Sequence, residues 1–193
     1  GKVGYSDLYN LTEGMSPTHR VDLKDKEQIR SRKAFTLFSG LLRANQTITS
    51  LTLSSVIPDH IDCLALALHT NTSLVELRLE QPSKTSDVQV ATLPVQQLNG
   101  SLNKERIDLF EAGGTKGAPA PMHRHACGVV GALLSVNTTI AYLKVNPGPG
   151  AEGGGILEHL NRARKSTLRE LDLTGIGLGD RGGVKFFETM LSG

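Results

Sequence analysis

The sequence predicts one curved α/β solenoid of about six units, with a parallel sheet on the concave side and helices on the convex side. Three observations carry this expectation. Five strand signatures end in a leucine-like residue at Leu53, Leu79, Leu109, Val145 and Leu173, and a weaker sixth ends at Leu23. Their spacings are 30, 26, 30, 36 and 28 residues, and a period of this size marks stacked supersecondary units. A second leucine falls 11 residues before four of the strand leucines: Leu42 before Leu53, Leu68 before Leu79, Leu98 before Leu109 and Leu134 before Val145. The fifth pair, Leu160 and Leu173, is two residues longer.

Each strand reads from its alternation. Leu74-Val-Glu-Leu77-Arg-Leu79 and Leu168-Arg-Glu-Leu171-Asp-Leu173 are the clearest copies, followed by Ile140 to Val145 and Ile48 to Leu53. The last two apolar positions of each copy are two apart, which puts both on one face of a strand. Val21 with Leu23, and Ile107 with Leu109, keep only those two positions. The preceding segments have apolar residues three and four apart, as a helix with one buried face requires. They run Ala34 to Leu42, Ile61 to Leu68, Cys127 to Leu134 and Val184 to Leu191. Asn45, Asn71 and Asn137 each stand three residues past a helix leucine. Asparagine tolerates the left-handed conformation that ends a helix, and its side chain bonds locally. One unit is therefore helix, Asn turn, short strand and loop. Such a unit buries its faces only by stacking on its neighbours.

From Pro17 to Leu191 the chain resembles the leucine-rich repeat family, ribonuclease-inhibitor type. Leu168 to Leu191, with Gly175, Asp180, Gly182 and Gly183, is the best copy. Asn71-Thr-Ser-Leu-Val-Glu-Leu-Arg-Leu79 is also similar to repeats of the tropomodulin C-terminal domain. The family's polar residue three positions after the last strand leucine is absent. Val56, Pro82, Ala112, Gly148 and Ile176 stand there, so irregular loops are expected. The resemblance implies a single domain over residues 1–193, with 1–16 as lead-in or cap and 17–193 as repeats. It also implies a non-catalytic protein-binding module with an actin or other cytoskeletal partner. Two alternatives stay open. Inhibitors of ribonuclease and the activator of the Ran GTPase share the repeat pattern in longer chains, which makes regulation of an enzyme one of them. A structural spacer in a larger assembly is the other.

Composition narrows the classes. With 21 basic and 19 acidic residues, the net charge of +2 argues against a partner held mainly by charge, whether nucleic acid or membrane surface. No run of 18 apolar residues occurs, so no membrane insertion is expected. The two cysteines, Cys63 and Cys127, fall on apolar helix faces and read as small hydrophobes, which favours a cytoplasmic setting over a disulfide framework. No polar unit follows the last helix, so end-to-end contact through that open repeat, or continuation in a longer chain, is expected.

Three motifs were weighed as chemistry. Gly148-Pro-Gly150-Ala-Glu-Gly153 fits the glycine pattern of a dinucleotide loop, with Asp172 following 19 residues later. Pro149 lacks a donor, Glu152 repels phosphate, and Gly175 to Gly182 repeats the same loop, so the pattern reads as repeat architecture and no cofactor is expected. His123, His125 and Cys127 resemble a small metal cluster, but residues two apart on a helix point to different faces. The expectation is a solvated helix start with Cys127 turned inward and no metal. Asn10, Asn45, Asn71, Asn99 and Asn137 open glycosylation sequons, three of which are the repeat turn itself. No catalytic motif is found, and an enzyme is not expected.

Residues between the core positions of in-register parallel strands form columns on the concave face. These columns are Arg20, Ser50, Glu76, Arg106, Tyr142, Glu170; Asp22, Thr52, Arg78, Asp108, Lys144, Asp172; and Lys24, Ser54, Glu80, Phe110, Asn146, Thr174. The middle column alternates in sign from Arg78 to Asp172, which by itself is a sheet-stabilising ladder. Arg106, Phe110 and Tyr142 are the residue types that anchor interfaces. The candidate partner-binding set is therefore Arg78, Arg106, Asp108, Phe110, Tyr142 and Lys144. It flanks the longest insertion, Glu111 to Pro121, whose glycine and proline content predicts a mobile loop that is either functional or a neutral spacer.

Overall fold

In the computed structural model, the described residues are 20–23, 31–54, 56–82, 88–110, 112–113, 121–147, 156, 159 and 167–173, with side chains from 31 onward. They form a mixed α/β fold. Its elements are β1 (Arg20–Leu23), α1 (Arg32–Ala44), β2 (Ser50–Ser54), α2 (Pro58–Thr70), β3 (Glu76–Pro82), β4 (Val88–Pro94), α3 (Val95–Leu98), β5 (Arg106–Leu109), α4 (Arg124–Leu134), β6 (Tyr142–Val145) and β7 (Glu170–Asp172). The expected lead-in over residues 1–16, the helix Val184 to Leu191, the 148–153 glycine motif and the open C-terminal repeat lie outside the described residues.

The helices start and stop where local chemistry directs. Ser31 caps α1, its Oγ accepting the Ala34 N–H at 3.2 Å. Pro58 opens α2 at a position where its missing N–H costs nothing. Phe35, Phe38 and Leu42 of α1, and Leu64 and Leu68 of α2, are fully buried. Strand positions Leu51, Leu53, Leu77, Leu79, Ile107, Leu109, Leu143 and Val145 complete one continuous apolar core. The leucine frame thus has the role its spacing predicts.

The single parallel sheet does not form among the described residues. The strands make two sheets, in orders β1-β2-β3-β4 and β5-β6-β7, parallel except for the β3/β4 pair. Where a helix ending at Leu98 was expected, Val88 to Pro94 is an antiparallel strand and only Val95–Leu98 turns as helix. The cause is local: Val88, Val90 and Thr92 are β-branched at period two, and Pro94 cannot carry a helix through. Pro82, at the family's missing polar position, ends β3 and pairs with Val88. Because α3 is one turn long, α4 packs directly on α2. A Cβ added at Gly128 of α4 would lie 2.6 Å from Ile61 Cδ1, so a larger residue there would make the Ile61 side chain move aside.

The asparagines bind the units together. Asn71 Nδ2 donates to the carbonyls of Leu42 (2.7 Å) and Asn45 (2.8 Å), one unit back. Asn99 Nδ2 donates to Leu68 (2.8 Å) and Asn71 (2.9 Å), and Asn137 Nδ2 to Leu98 (2.9 Å). Each amide therefore bonds a carbonyl in the last turn of the preceding unit's helix, where the regular helical ladder runs out. The Oδ1 atoms accept from the N–H groups of Ile48, Leu74, Ser101 and Ile140 at 2.7–2.9 Å, fixing the turn into each strand. The backbone reason given by the sequence is corrected: Asn45 and Asn71 are extended, at φ −73° and −80°. Gly100, at φ +83°, takes the left-handed conformation in the one turn that has it among the described glycines.

Asn71→Ala leaves the N–H groups of Ser73 and Leu74 without their acceptor and removes the shorter of two bonds at each of the carbonyls of Leu42 and Asn45. It is expected to cost ~3–5 kcal/mol in urea unfolding, against ~0.5 kcal/mol or less for exposed Gln46→Ala in the same turn region.

Candidate functional site

The face of the second sheet gathers most of the candidate residues. Parallel register sets Arg106 opposite Tyr142 and Glu170, and Asp108 opposite Lys144 and Asp172. Within this sheet the two expected columns are present. The core sides of the same strands, Ile107, Leu109, Leu143 and Val145, are buried, so the alternate residues must point outward.

The contacts on that face are cation over ring. The Arg106 guanidinium carbon lies 3.7 Å from the Tyr142 ring centroid, and Lys144 Nζ lies 4.9 Å from that of Phe110. Asp108 does not pair with the lysine opposite it. Its Oδ1 accepts the Phe110 N–H at 2.9 Å, which holds the aromatic residue just past the strand end. Arg106, Asp108, Phe110, Tyr142 and Lys144 thus form one surface. Arg78 does not join them. It faces Thr92 of β4 in place of the expected Asp108, and its Nε donates to Glu80 Oε1 at 3.0 Å. Likewise Glu76 pairs with Pro94 and Glu80 with Val90, so no column runs from β3 to β5. The first sheet is also closed where solvent was expected. Thr52 is 0% exposed and Glu80 8%, and Thr52 Oγ1 has no hydrogen-bond partner among the described residues.

The His123 motif is corrected from a solvated helix start to a buried cap. His123 is 7% exposed, and its Nδ1 accepts the Ala126 N–H at 3.3 Å. That bond places the ring proton on Nε2, 3.4 Å from the Leu79 carbonyl of β3. His125 Nδ1 meets Gln81 Oε1 at 3.1 Å, so both rings tie α4 to the end of β3. Burial lowers the His123 pKa to about 4, against the smaller opposing pull of its bond to Leu79. His125 shifts downward too, by burial and the nearby Arg124 charge. Cys127 is buried, and its thiol is pushed up to about 12 by burial, far from a reactive thiolate. Among the described residues, no group of three His, Cys, Asp or Glu side chains is arranged to hold a metal.

Asn45, Asn71, Asn99 and Asn137 are at most 6% exposed, so the folded chain offers none of these four to glycosylation. Asn10 lies outside the described residues, as does most of the Glu111 to Pro121 insertion. Its described part is tied down: Ala112 O accepts from Thr92 N–H at 2.8 Å, and Gly113 bridges Ala91. Sequence reasoning missed a groove of about 350 Å³ between α2 and α4, lined by Leu66, His69, Val136 and His159 among others. No helix among the described residues is long and apolar enough to cross a membrane.

No family model and no curated protein sequence matches this chain. Among solved structures it is similar to leiomodin-1 actin-binding site 2, with TM-score 0.43 and 13% identity over 97% of this chain and 86% of that one. It is similar as well to the tropomodulin C-terminal domain of Caenorhabditis elegans, with TM-score 0.41 and 11% identity over 96% of this chain and 90% of that one. At these scores neither likeness transfers a function.

Two outcomes follow from the geometry. The unfolded imidazole protonates near pH 6.5 and the folded His123 near 4, so acid favours the unfolded chain. The His123 contribution is whole above pH 6.5, falls as the pH drops and is gone below about 4. The loss is at most ~3 kcal/mol in urea midpoints, and His123→Asn should flatten that pH dependence. A double-mutant cycle of Arg106→Ala and Tyr142→Ala should give a coupling of ~0.5–1 kcal/mol, as befits an exposed cation–π pair.

Proposed function

We propose that the chain is a short leucine-rich repeat stack acting as a non-catalytic protein-interaction module, whose partner docks on the open face of the second sheet. The observation that carries this reading is the Arg106–Tyr142 and Lys144–Phe110 cluster. It puts two aromatic rings and two long cations on a rigid sheet, the residue types that dominate interface energetics. The buried Cys127, with its raised pKa, is not an activated nucleophile, and burial holds the capping His123 neutral. Regulation of an enzyme through the same face is the second reading, since a rigid repeat surface serves either target. The similarity of Asn71 to Leu79 to tropomodulin repeats makes an actin filament the first partner to test.

The test is a crosslinking pull-down from native lysate, with the unaltered chain beside an Arg106→Ala, Phe110→Ala, Tyr142→Ala variant, and co-sedimentation of both with filamentous actin. A partner recovered with the first and lost at least tenfold with the second supports the reading. Equal recovery from both contradicts it.

A further inference from the structure

We infer that the open sheet face recognises a paired-carboxylate motif: two acidic side chains of a protein partner, seated over Arg106 and Lys144. This rests on the proposed use of that face and names the chemistry it takes. Carboxylates stand directly beside Lys144 and one strand further from Arg106, yet neither cation is ion-paired among the described residues. Asp108, directly across from Lys144, spends its Oδ1 on the Phe110 N–H. Asp172, on the other side of Lys144, has a partner of its own. Glu170 is two strands from Arg106, with Tyr142 between them. Among the described residues, Arg106 and Lys144 therefore have rings beneath them and no ion pair.

Stacking on Tyr142 fixes the plane of the guanidinium while leaving its N–H edges available, the geometry in which arginine takes a carboxylate through two bonds. Holding the long side chain on a ring in advance lowers the entropy lost on binding. Arg106 and Lys144 sit on adjacent strands, two positions out of register, so their backbone positions lie on a diagonal of about 7 Å. An extended segment spaces alternate side chains by about 7 Å. The fitting motif is thus an acidic residue, any residue, and a second acidic residue. Exposed Glu170 and half-buried Asp172 on β7 repel a longer acidic run, which sets the motif's direction away from that strand.

The probes are the peptides acetyl-Ser-Glu-Ser-Glu-Ser-amide and its Gln counterpart, titrated into the 15N-labelled full chain and followed by NMR. The Glu probe should shift the Arg106 Nε–H and Tyr142 ring signals, weaken with salt, and lose at least fivefold in affinity in both Arg106→Gln and Lys144→Gln. Equal shifts from the Gln probe, or no shift at Arg106 with about 20 mM Glu probe, overturn the inference. Phosphoserine peptide binding tightly where the Glu probe does not would also overturn it, by assigning the cations to phosphate. The pull-down separates the two levels. Loss of the partner in Phe110→Ala with full recovery in Arg106→Gln and Lys144→Gln sinks the carboxylate motif and leaves the docking face standing. Recovery in all three removes both.

Discussion

The fold depends on a row of buried asparagine amides. Each helix ends with carbonyls that its own ladder cannot satisfy, and burying them unpaired costs more than any single bond returns. The following unit answers with one side chain that donates backward to those carbonyls and accepts forward from the turn into its own strand. Asn71, Asn99 and Asn137 thereby set the height of each strand against the last, and Asn45 fixes the turn into β2. Leucine burial supplies most of the stabilisation and rejects a one-residue slip, which would turn the apolar set to the other face. The amide bonds add to that selection, because the same shift breaks donors and acceptors together.

That row crosses the place where the sheet breaks. Between β3 and β5 the helix shrinks to one turn and an antiparallel strand takes its place, yet Asn99 still reaches Leu68 and Asn71 behind it, and Asn137 reaches Leu98. The interruption divides the sheet surface into two faces of different character. On the first, Thr52 and Glu80 are buried and Arg78 is paired. On the second, cations lie over rings and remain without ion pairs among the described residues. The proposed docking surface is the second face because the first has little left to offer. His123 braces the same break from the other end, joining the start of α4 to the end of β3.

Much of this was legible in the sequence. The leucine spacing gave three helices, six of the seven strands and nearly all core positions, because period and burial are tied by geometry. Five of the six candidate face residues came together because parallel register follows from aligned leucines. The failures share a cause. Leu98 kept its 11-residue spacing while the segment before it changed type, and the alternating Val88, Val90 and Thr92 were the signal that could have shown it. Arg78 was lost from the site with that strand. Asn99 was not read as a ladder member because it follows its leucine by one residue instead of three. His123 was read from its neighbours in sequence, whereas its environment is made by β3, 44 residues away.

The central claim is that the asparagine row makes one cooperative unit of two sheets. Native-state hydrogen exchange in rising, sub-denaturing urea tests it at the amides of Ile48, Leu74, Ser101 and Ile140, each bonded to a row asparagine. All four should merge into one opening isotherm at the global unfolding free energy. Opening of Ile140 and Ser101 at markedly lower urea than Ile48 and Leu74 would contradict it, and would mean that the two sheets unfold independently across the break.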